Sequence, residues 1–231
     1  MAAYYGLLDL VQQLIKAGGK KLLFATNKIG QSVLHHASFY NRVEAVRLLI
    51  EAGGKKLLLV TDCHDSSALH AAADEGHVEA PFLLLIEAGG RELVLLRSKR
   101  GKTALHFAAD RGHEAIVRLL NEAGGEDLLL ITQTGGDTAL HQAAGSGHVE
   151  VARLLIGAGG QRLLFLITQL GVTPLRAAAC NGHVDMSRLL VERGSKRLLA
   201  AKSNNGKTAE DAATAYGHGA LAGMLRRSAQ Q

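Results

Sequence analysis

The chain has 231 residues, a formal net charge of +5, 47% hydrophobic and 20% charged residues. This composition excludes a disordered or low-complexity chain, and aliphatic runs such as 163–167 are too short to span a membrane. The two cysteines, Cys63 and Cys180, do not make a disulfide framework, and no secretory signal follows Met1. We therefore expect an intracellular protein, cytoplasmic or nuclear, with an organelle reached by a cleaved transit peptide as the remaining option.

Short motifs recur along the whole chain with one period. The motif Ser/Thr-x-Leu-His places histidines at positions 35, 70, 106 and 141, and Arg176 and Asp211 follow in phase. The steps are 35 residues, with one step of 36. Each unit also carries a Gly-His pair, a double glycine and a lone glycine. Each of these motifs loses a glycine once: Asn41 replaces the glycine of a Gly-His pair, Ser195 the second glycine of a pair, and Asp65 a lone glycine. Motifs that recur at such a regular spacing predict an array of repeats.

Each unit is predicted to form two helices. The Ser/Thr hydroxyl is placed to cap a short helix through Leu-His-x-Ala-Ala, called here the inner helix. Gly-His ends it, and a longer amphipathic helix follows, as in 150–156, called here the outer helix. We expect the double glycine to end the outer helix through a left-handed C-terminal cap. Pro81, at a one-residue insertion, should lie in the first turn of its helix.

The Leu-His-x-Ala-Ala and Gly-His-x-Glu-Val motifs resemble the ankyrin repeat family over essentially the whole chain. The resemblance implies an all-α ankyrin-repeat solenoid of stacked helix-turn-helix units in a single domain. It divides the chain into a half repeat (1–29), full repeats (30–64, 65–100, 101–135, 136–170 and 171–205) and a C-terminal capping repeat (206–231).

The connector from each outer helix to the next inner helix departs from the family pattern. Each unit is about two residues longer than the usual ankyrin repeat of about 33 residues. The added length lies in apolar runs such as 57–60 and 128–131. Leucine richness favours an extra helical turn over the family's β-turn, and the periodicity of so short a run is compatible with both.

Most histidines are predicted to be structural. Nine of the eleven follow the repeat, and for those of the Leu-His motif the resemblance implies a ring bonded to the motif hydroxyl or to a neighbouring loop. Only His36 and His64 are off the pattern. Cys63 beside His64 could form a redox or metal site only with a third ligand or a catalytic base, and neither is evident in the sequence. Cys180 is interpreted as a small hydrophobe. We predict no catalytic residues, no metal and no cofactor.

The resemblance implies that connector tips and inner-helix ends contact the partner. Among them, Phe39 and Tyr40 are either exposed anchors or packed into the adjoining unit. A basic cluster fills one connector (97–102) and continues at Arg111. The predicted partner-binding residues are Lys28, Ile29, Gln31, Phe39, Tyr40, His64, Ser66, Asp74, Glu75, Arg97, Lys99, Arg100, Lys102, Asp110, Arg111, Thr134, Asp137, Ser146, Leu170, Asn181 and Tyr216.

The predicted function is a non-enzymatic protein–protein interaction module. The alternatives are an architectural subunit of a larger complex, or a regulator or inhibitor that docks its basic cluster on an acidic target. Nucleic acid is not expected as a partner, because aromatics are few and no basic stripe runs along successive units. Residues 1–20 carry an apolar helix with no cap before it, so we expect a second chain or copy to cover them.

Overall fold

The computed structural model describes residues 9, 11–13, 15–16, 20–77 and 80–230. The chain divides into two compact units, residues 1–104 and 105–231. The helices of the first unit are α1 (Lys20–Leu23), α2 (Val33–Phe39), α3 (Val43–Leu58), α4 (Ala68–Glu75) and α5 (Ala80–Val94). Those that follow are α6 (Ala104–Arg111), α7 (Glu114–Leu130), α8 (Ala139–Ser146), α9 (Val149–Gly159), the 3₁₀ helix η1 (Gln161–Phe165), α10 (Pro174–Cys180), α11 (Val184–Leu199), α12 (Ala209–Ala215) and α13 (Gly219–Gln230).

Helices pack by type within each unit. In the first, α2 contacts α4, while the longer α3 contacts α5. In the second, α8, α10 and α12 pack in succession, as do α7, α9, α11 and α13. Inner helices bury alanines such as Ala72 and Ala143, which let backbones approach closely, and outer helices bury leucines such as Leu49 and Leu155. The predicted all-α class of stacked helix pairs is confirmed.

The predicted helix starts are also confirmed. Ser32, Ser67, Thr138, Thr173 and Thr208 are the N-cap residues of α2, α4, α8, α10 and α12, each with an extended backbone. Pro81 is buried in the first turn of α5, where its missing N–H removes no helical hydrogen bond.

The connector begins with a helical turn, as the leucine content favoured. At Gly54 (φ 60°, ψ −163°) α3 bends sharply, and the turn after it buries Leu57 and Leu58. The same bend occurs at Gly90, Gly125, Gly160 and Ser195. Each turn adds a buried aliphatic pair to its repeat, Leu93 and Val94 after Gly90 and two leucines after the others, and this accounts for the added length.

The predicted left-handed cap at the double glycine is wrong. The second residue of the pair has ψ near −160° rather than near +45°, because the chain restarts a helical turn instead of leaving the helix. The first residue of the pair serves packing. A Cβ added to Gly53 would lie 2.6 Å from Leu57 Cδ2, so the leucine of the restarted turn requires a bare backbone there.

The breaks in the glycine pattern keep the glycine backbone. In the described residues, the non-glycine positions with positive φ are Asn41 (54°), Asp65 (56°) and Ser195 (56°). These are the three substitutions in the glycine series. Asn and Asp tolerate the left-handed region well. Ser195 has ψ −169°, a region that is essentially restricted to glycine, so its backbone is strained.

The apolar N-terminal segment lies largely outside the described residues. Of it, Val11 is buried and Ile15 is 37% exposed. The covering of residues 1–20 by a second chain stays a prediction, as do the repeat boundaries. Within the described ranges, the structure holds no helix with the length and apolar character needed to cross a membrane.

Candidate functional site: connector tips and inner-helix ends

The Leu-His histidines fix each connector onto the preceding repeat. His35 Nδ1 accepts the Ser32 backbone N–H (3.2 Å) and lies 2.9 Å from Ser32 Oγ, so its Nε2–H donates to Ser66 O at 2.9 Å. The role implied by the family resemblance is therefore confirmed. The corresponding rings reach the next connector in the same way: His70 to Lys102 O, His106 to Asp137 O and His141 to Val172 O.

Burial keeps the rings of His35, His70 and His141 neutral. Desolvation lowers the pKa of His70 to about 4, against weaker opposing effects from hydrogen bonds to backbone carbonyls of Lys102 and Leu96. Desolvation likewise lowers the pKa of His35 and of His141. A neutral ring with Nδ1 as acceptor and Nε2–H as donor matches the hydrogen bonds on both sides.

The Gly-His histidines hydrogen-bond to the preceding repeat, whereas the Leu-His histidines bond to the connector that follows. His77 Nε2 hydrogen-bonds to Phe39 O (2.7 Å), at the C-terminal end of the preceding inner helix. A Cβ on Gly147 would lie 2.7 Å from His183 Nδ1, so the glycine makes room for the ring of the next repeat. The same bond joins His148 to Asp110 O, His183 to Gly145 O and His218 to Cys180 O. No cluster of three or more His, Cys, Asp or Glu side chains suited to a metal ion occurs in the described part of the chain.

Side-chain oxygens close the connector tips. Asp62 Oδ1 accepts the backbone N–H groups of His64 (2.8 Å) and Ser66 (2.9 Å). Thr168 Oγ1 accepts those of Leu170 (3.2 Å) and Val172 (3.1 Å). Such local bonds satisfy backbone donors that would otherwise be free in a loop.

Neighbouring tips are joined by backbone hydrogen bonds. In the first unit, Cys63 N–H donates to Ile29 O (2.8 Å) and Lys99 N–H to His64 O (2.7 Å). In the second, Asn204 N–H donates to Leu170 O at 3.1 Å. The tips of each unit therefore form a tied row, called here the tip row, whose side chains are held at fixed spacing.

Each unit exposes apolar side chains at a connector tip or an inner-helix end. In the first unit Ile29 is 49% exposed and Tyr40 58%, and in the second Leu170 is 72% exposed. Phe39 and Tyr40 make an edge-to-face contact with ring centroids 5.0 Å apart. Both rings remain exposed, which decides against packing into the adjoining unit.

The basic cluster is partly held by the neighbouring tip. Arg97, Lys99 and Arg100 are exposed, and Lys99 Nζ donates to Cys63 O at 3.0 Å. The Lys102 side chain is half-buried, and its carbonyl accepts from His70. The last cation of the predicted cluster, Arg111, is exposed at the end of α6 and belongs to the second unit.

Several predicted contact residues are engaged inside the fold. Ser146 Oγ donates to Asp110 Oδ1 (2.9 Å), and Asn181 Nδ2 donates to Gly145 O (2.8 Å), so these groups join adjacent repeats. The remaining exposed members are Lys28, His64, Glu75, Thr134 and Tyr216. The half-buried members are Gln31, Ser66, Asp74, Asp110 and Asp137.

Sequence reasoning missed a polar cavity in the second unit. It measures about 590 Å³, and Arg176, Lys207, Glu210, Tyr216 and Arg226 are among the residues that line it. A signal was available: Arg176 and Asp211 are the two positions at which the Leu-His motif loses its histidine.

The family-model comparison agrees with the helix pairs. A model described as "Ankyrin repeats (3 copies)" matches residues 1–95 and 82–163, and one described as "Ankyrin repeat" matches residues 170–208. These matches cover most of the chain, which belongs to the ankyrin repeat family. Ankyrin repeats are in general protein–protein interaction modules and are typically non-enzymatic. Comparison with curated proteins gives no match.

Proposed function

We propose that this chain is a non-enzymatic module that binds a protein partner on its tip rows and inner-helix ends. One observation carries the proposal: tip backbone groups are bonded to their own turn or to the next tip, while large side chains face outward. Ile29, Tyr40 and Leu170 supply apolar anchors, and Lys99 and Arg100 supply charge. Apolar and aromatic anchors ringed by polar groups are the usual source of interface affinity.

Preorganisation supports the same surface. Binding on a loop normally costs the free energy of ordering it. Here the bonds from Asp62 Oδ1 and Thr168 Oγ1 already order the tips in the unbound chain. The affinity of a partner is therefore not reduced by loop ordering.

A matched set of variants tests the proposal. The partner is captured from the protein's own cells with the full chain as bait, and its affinity is then measured with purified components. Tyr40→Ala combined with Leu170→Ala should weaken binding at least tenfold. The control is Arg118→Ala combined with Arg153→Ala, exposed outer-helix positions expected to leave affinity unchanged. Loss in the control alone would contradict the proposed face.

A second candidate is a regulator that docks the basic connector on an acidic target. The exposed cations Arg97, Lys99 and Arg100 favour it, because rim charges accelerate association with an oppositely charged surface. Lys99→Glu with Arg100→Glu should then lower the association rate and remove most of its salt dependence. An unchanged salt dependence would refute this candidate.

Two further expectations extend the proposal. An architectural subunit would keep residues 1–20 covered by a second chain, and cross-links from this segment within an isolated complex would reveal it. An intracellular location is supported by the cysteines, because Cys63 and Cys180 are both free thiols.

A further inference from the structure

The polar cavity of the second unit lies where the repeat pattern fails. In the other repeats the inner-helix histidine donates to a connector carbonyl, as His141 does to Val172 O. Arg176 occupies that position in α10. The corresponding carbonyl, Lys207 O, accepts the Ser203 backbone N–H (3.0 Å), as the equivalent carbonyls do in the other repeats. It also lies 3.0 Å from Ser203 Oγ, but the shorter contact of that hydroxyl is to Asn205 Oδ1 (2.6 Å).

The replacement of histidine by Arg176 places a guanidinium at the cavity. Its Nε is buried and has no hydrogen-bond partner among the described residues. A buried cationic donor without an acceptor costs free energy, so an acceptor entering the cavity would be favoured. Arg176 itself is half-buried and lines the cavity.

The carboxylates of the cavity already have partners. Glu210 Oε1 pairs with Arg226 at 2.7 Å. Asp211 Oδ2 accepts the Thr208 backbone N–H (2.9 Å) and hydroxyl (3.0 Å), and these bonds lower the pKa of its carboxyl. Lys207 is exposed at the cavity edge and also attracts the Asp211 carboxylate, so the main charge that remains for a ligand is the guanidinium of Arg176.

We propose that this cavity binds a carboxylate side chain of an acidic peptide segment. The guanidinium of Arg176 matches the two oxygens of a carboxylate, and Lys207 adds a second positive charge. A singly charged carboxylate suits a site that also contains Glu210 and Asp211, which would repel a doubly charged phosphate more strongly. Tyr216, which is 65% exposed, lies at the rim and can cover the peptide backbone. The inference rests on the proposed function and names the chemistry of one partner segment.

Side-chain NMR of the full chain tests the site directly. The Arg176 Nε–Hε resonance is assigned by its absence in Arg176→His, which restores the residue of the other repeats. Titration with acetyl-hexaglutamate-amide should shift this resonance saturably, while acetyl-hexaglutamine-amide should not. Arg176→His should weaken hexaglutamate binding at least tenfold. Arg188→Gln, on α11 where Arg188 pairs with Asp185, should leave it unchanged.

Three outcomes overturn the proposal. They are equal affinity of hexaglutamate for Arg176→His, an equal response to hexaglutamine, and saturation by inorganic phosphate at concentrations as low as those of the peptide. Failure here is distinguishable from failure of the proposed function. If Tyr40→Ala with Leu170→Ala still weakens binding of the captured partner at least tenfold, only the carboxylate site is refuted. Partner binding that is insensitive to those tip variants refutes the proposed face instead.

Discussion

Among the described residues, Ser195 conflicts with the backbone that its repeat position requires. The equivalent residues of the other repeats are glycines, and Gly160 has φ 68° and ψ −170°. Ser195 has φ 56° and ψ −169°. A Cβ added at Gly160 meets nothing within 4 Å. The cost of a side chain at this position is therefore a backbone cost and not a steric clash with neighbours.

The magnitude of this cost follows from two opposing effects. A non-glycine residue in this region is strained by about 1–3 kcal/mol. Glycine at the same position lowers the free energy of unfolding by roughly 0.5–1 kcal/mol, because it makes the unfolded chain more flexible. We expect Ser195→Gly to raise the free energy of unfolding by about 1–2 kcal/mol. Gly160→Ser should lower it by a similar amount.

Urea unfolding followed by far-ultraviolet circular dichroism measures both changes. Hydrogen exchange of α11 localises the first, since repeat arrays unfold in parts. Gly194→Ala is a contrasting variant, because its Cβ would lie 2.5 Å from Leu198 Cδ2, so its cost comes from packing. The reasoning is refuted if Ser195→Gly is neutral or destabilising, or if Gly160→Ser has no effect.

Three further predictions concern stability. The pKa of His70 is about 4 in the folded chain and 6.5 in the unfolded chain, so the folded state favours the neutral ring. This difference contributes about 3 kcal/mol to the free energy of unfolding above pH 6.5, and the contribution is lost as the pH falls to 4. The urea unfolding midpoint should therefore fall less between pH 7 and pH 4.5 in His70→Gln than in the wild-type chain. An equal fall in the two proteins would contradict this. Ser187 buries a hydroxyl that has no hydrogen-bond partner, and Ala152 occupies the equivalent position of another repeat. Ser187→Ala should therefore raise the free energy of unfolding by about 1 kcal/mol in thermal unfolding, and a decrease would count against this. Glu92→Gln breaks the exposed ion pair with Lys55 (2.6 Å) and should cost at most about 1 kcal/mol in urea, with a larger cost arguing for a buried role.

Local signals in the sequence predicted much of the fold. The Ser/Thr N-caps, the spacing of apolar residues and the periodic glycines each depend on residues close together in the chain. These signals located the helices correctly. The bend at Gly54 was predicted less well, because the backbone there depends on how Leu57 packs over Gly53. A sequence pattern marks glycine as needed without saying whether the reason is a torsion angle or space.

The candidate site was predicted only in outline. The tip positions follow from the repeat register, whereas the exposure of Tyr40 had been left open between an anchor and a packed ring. The use of Asp110 and Ser146 in a contact between repeats does not, since it depends on side chains 36 positions apart. The cavity beside Arg176 was missed for a similar reason: it depends on how side chains of α10, α12 and α13 come together.

We propose that the tip rows and inner-helix ends of each unit bind the partner. Site-specific photo-cross-linking in the isolated complex tests it most directly, with a benzophenone amino acid placed at Tyr40 or Leu170 and, as controls, at Arg47 or Arg153 on outer helices. The account predicts cross-links to the partner from Tyr40 and Leu170 and none from the two arginine positions. Cross-links from the outer helices with none from the tips would contradict it.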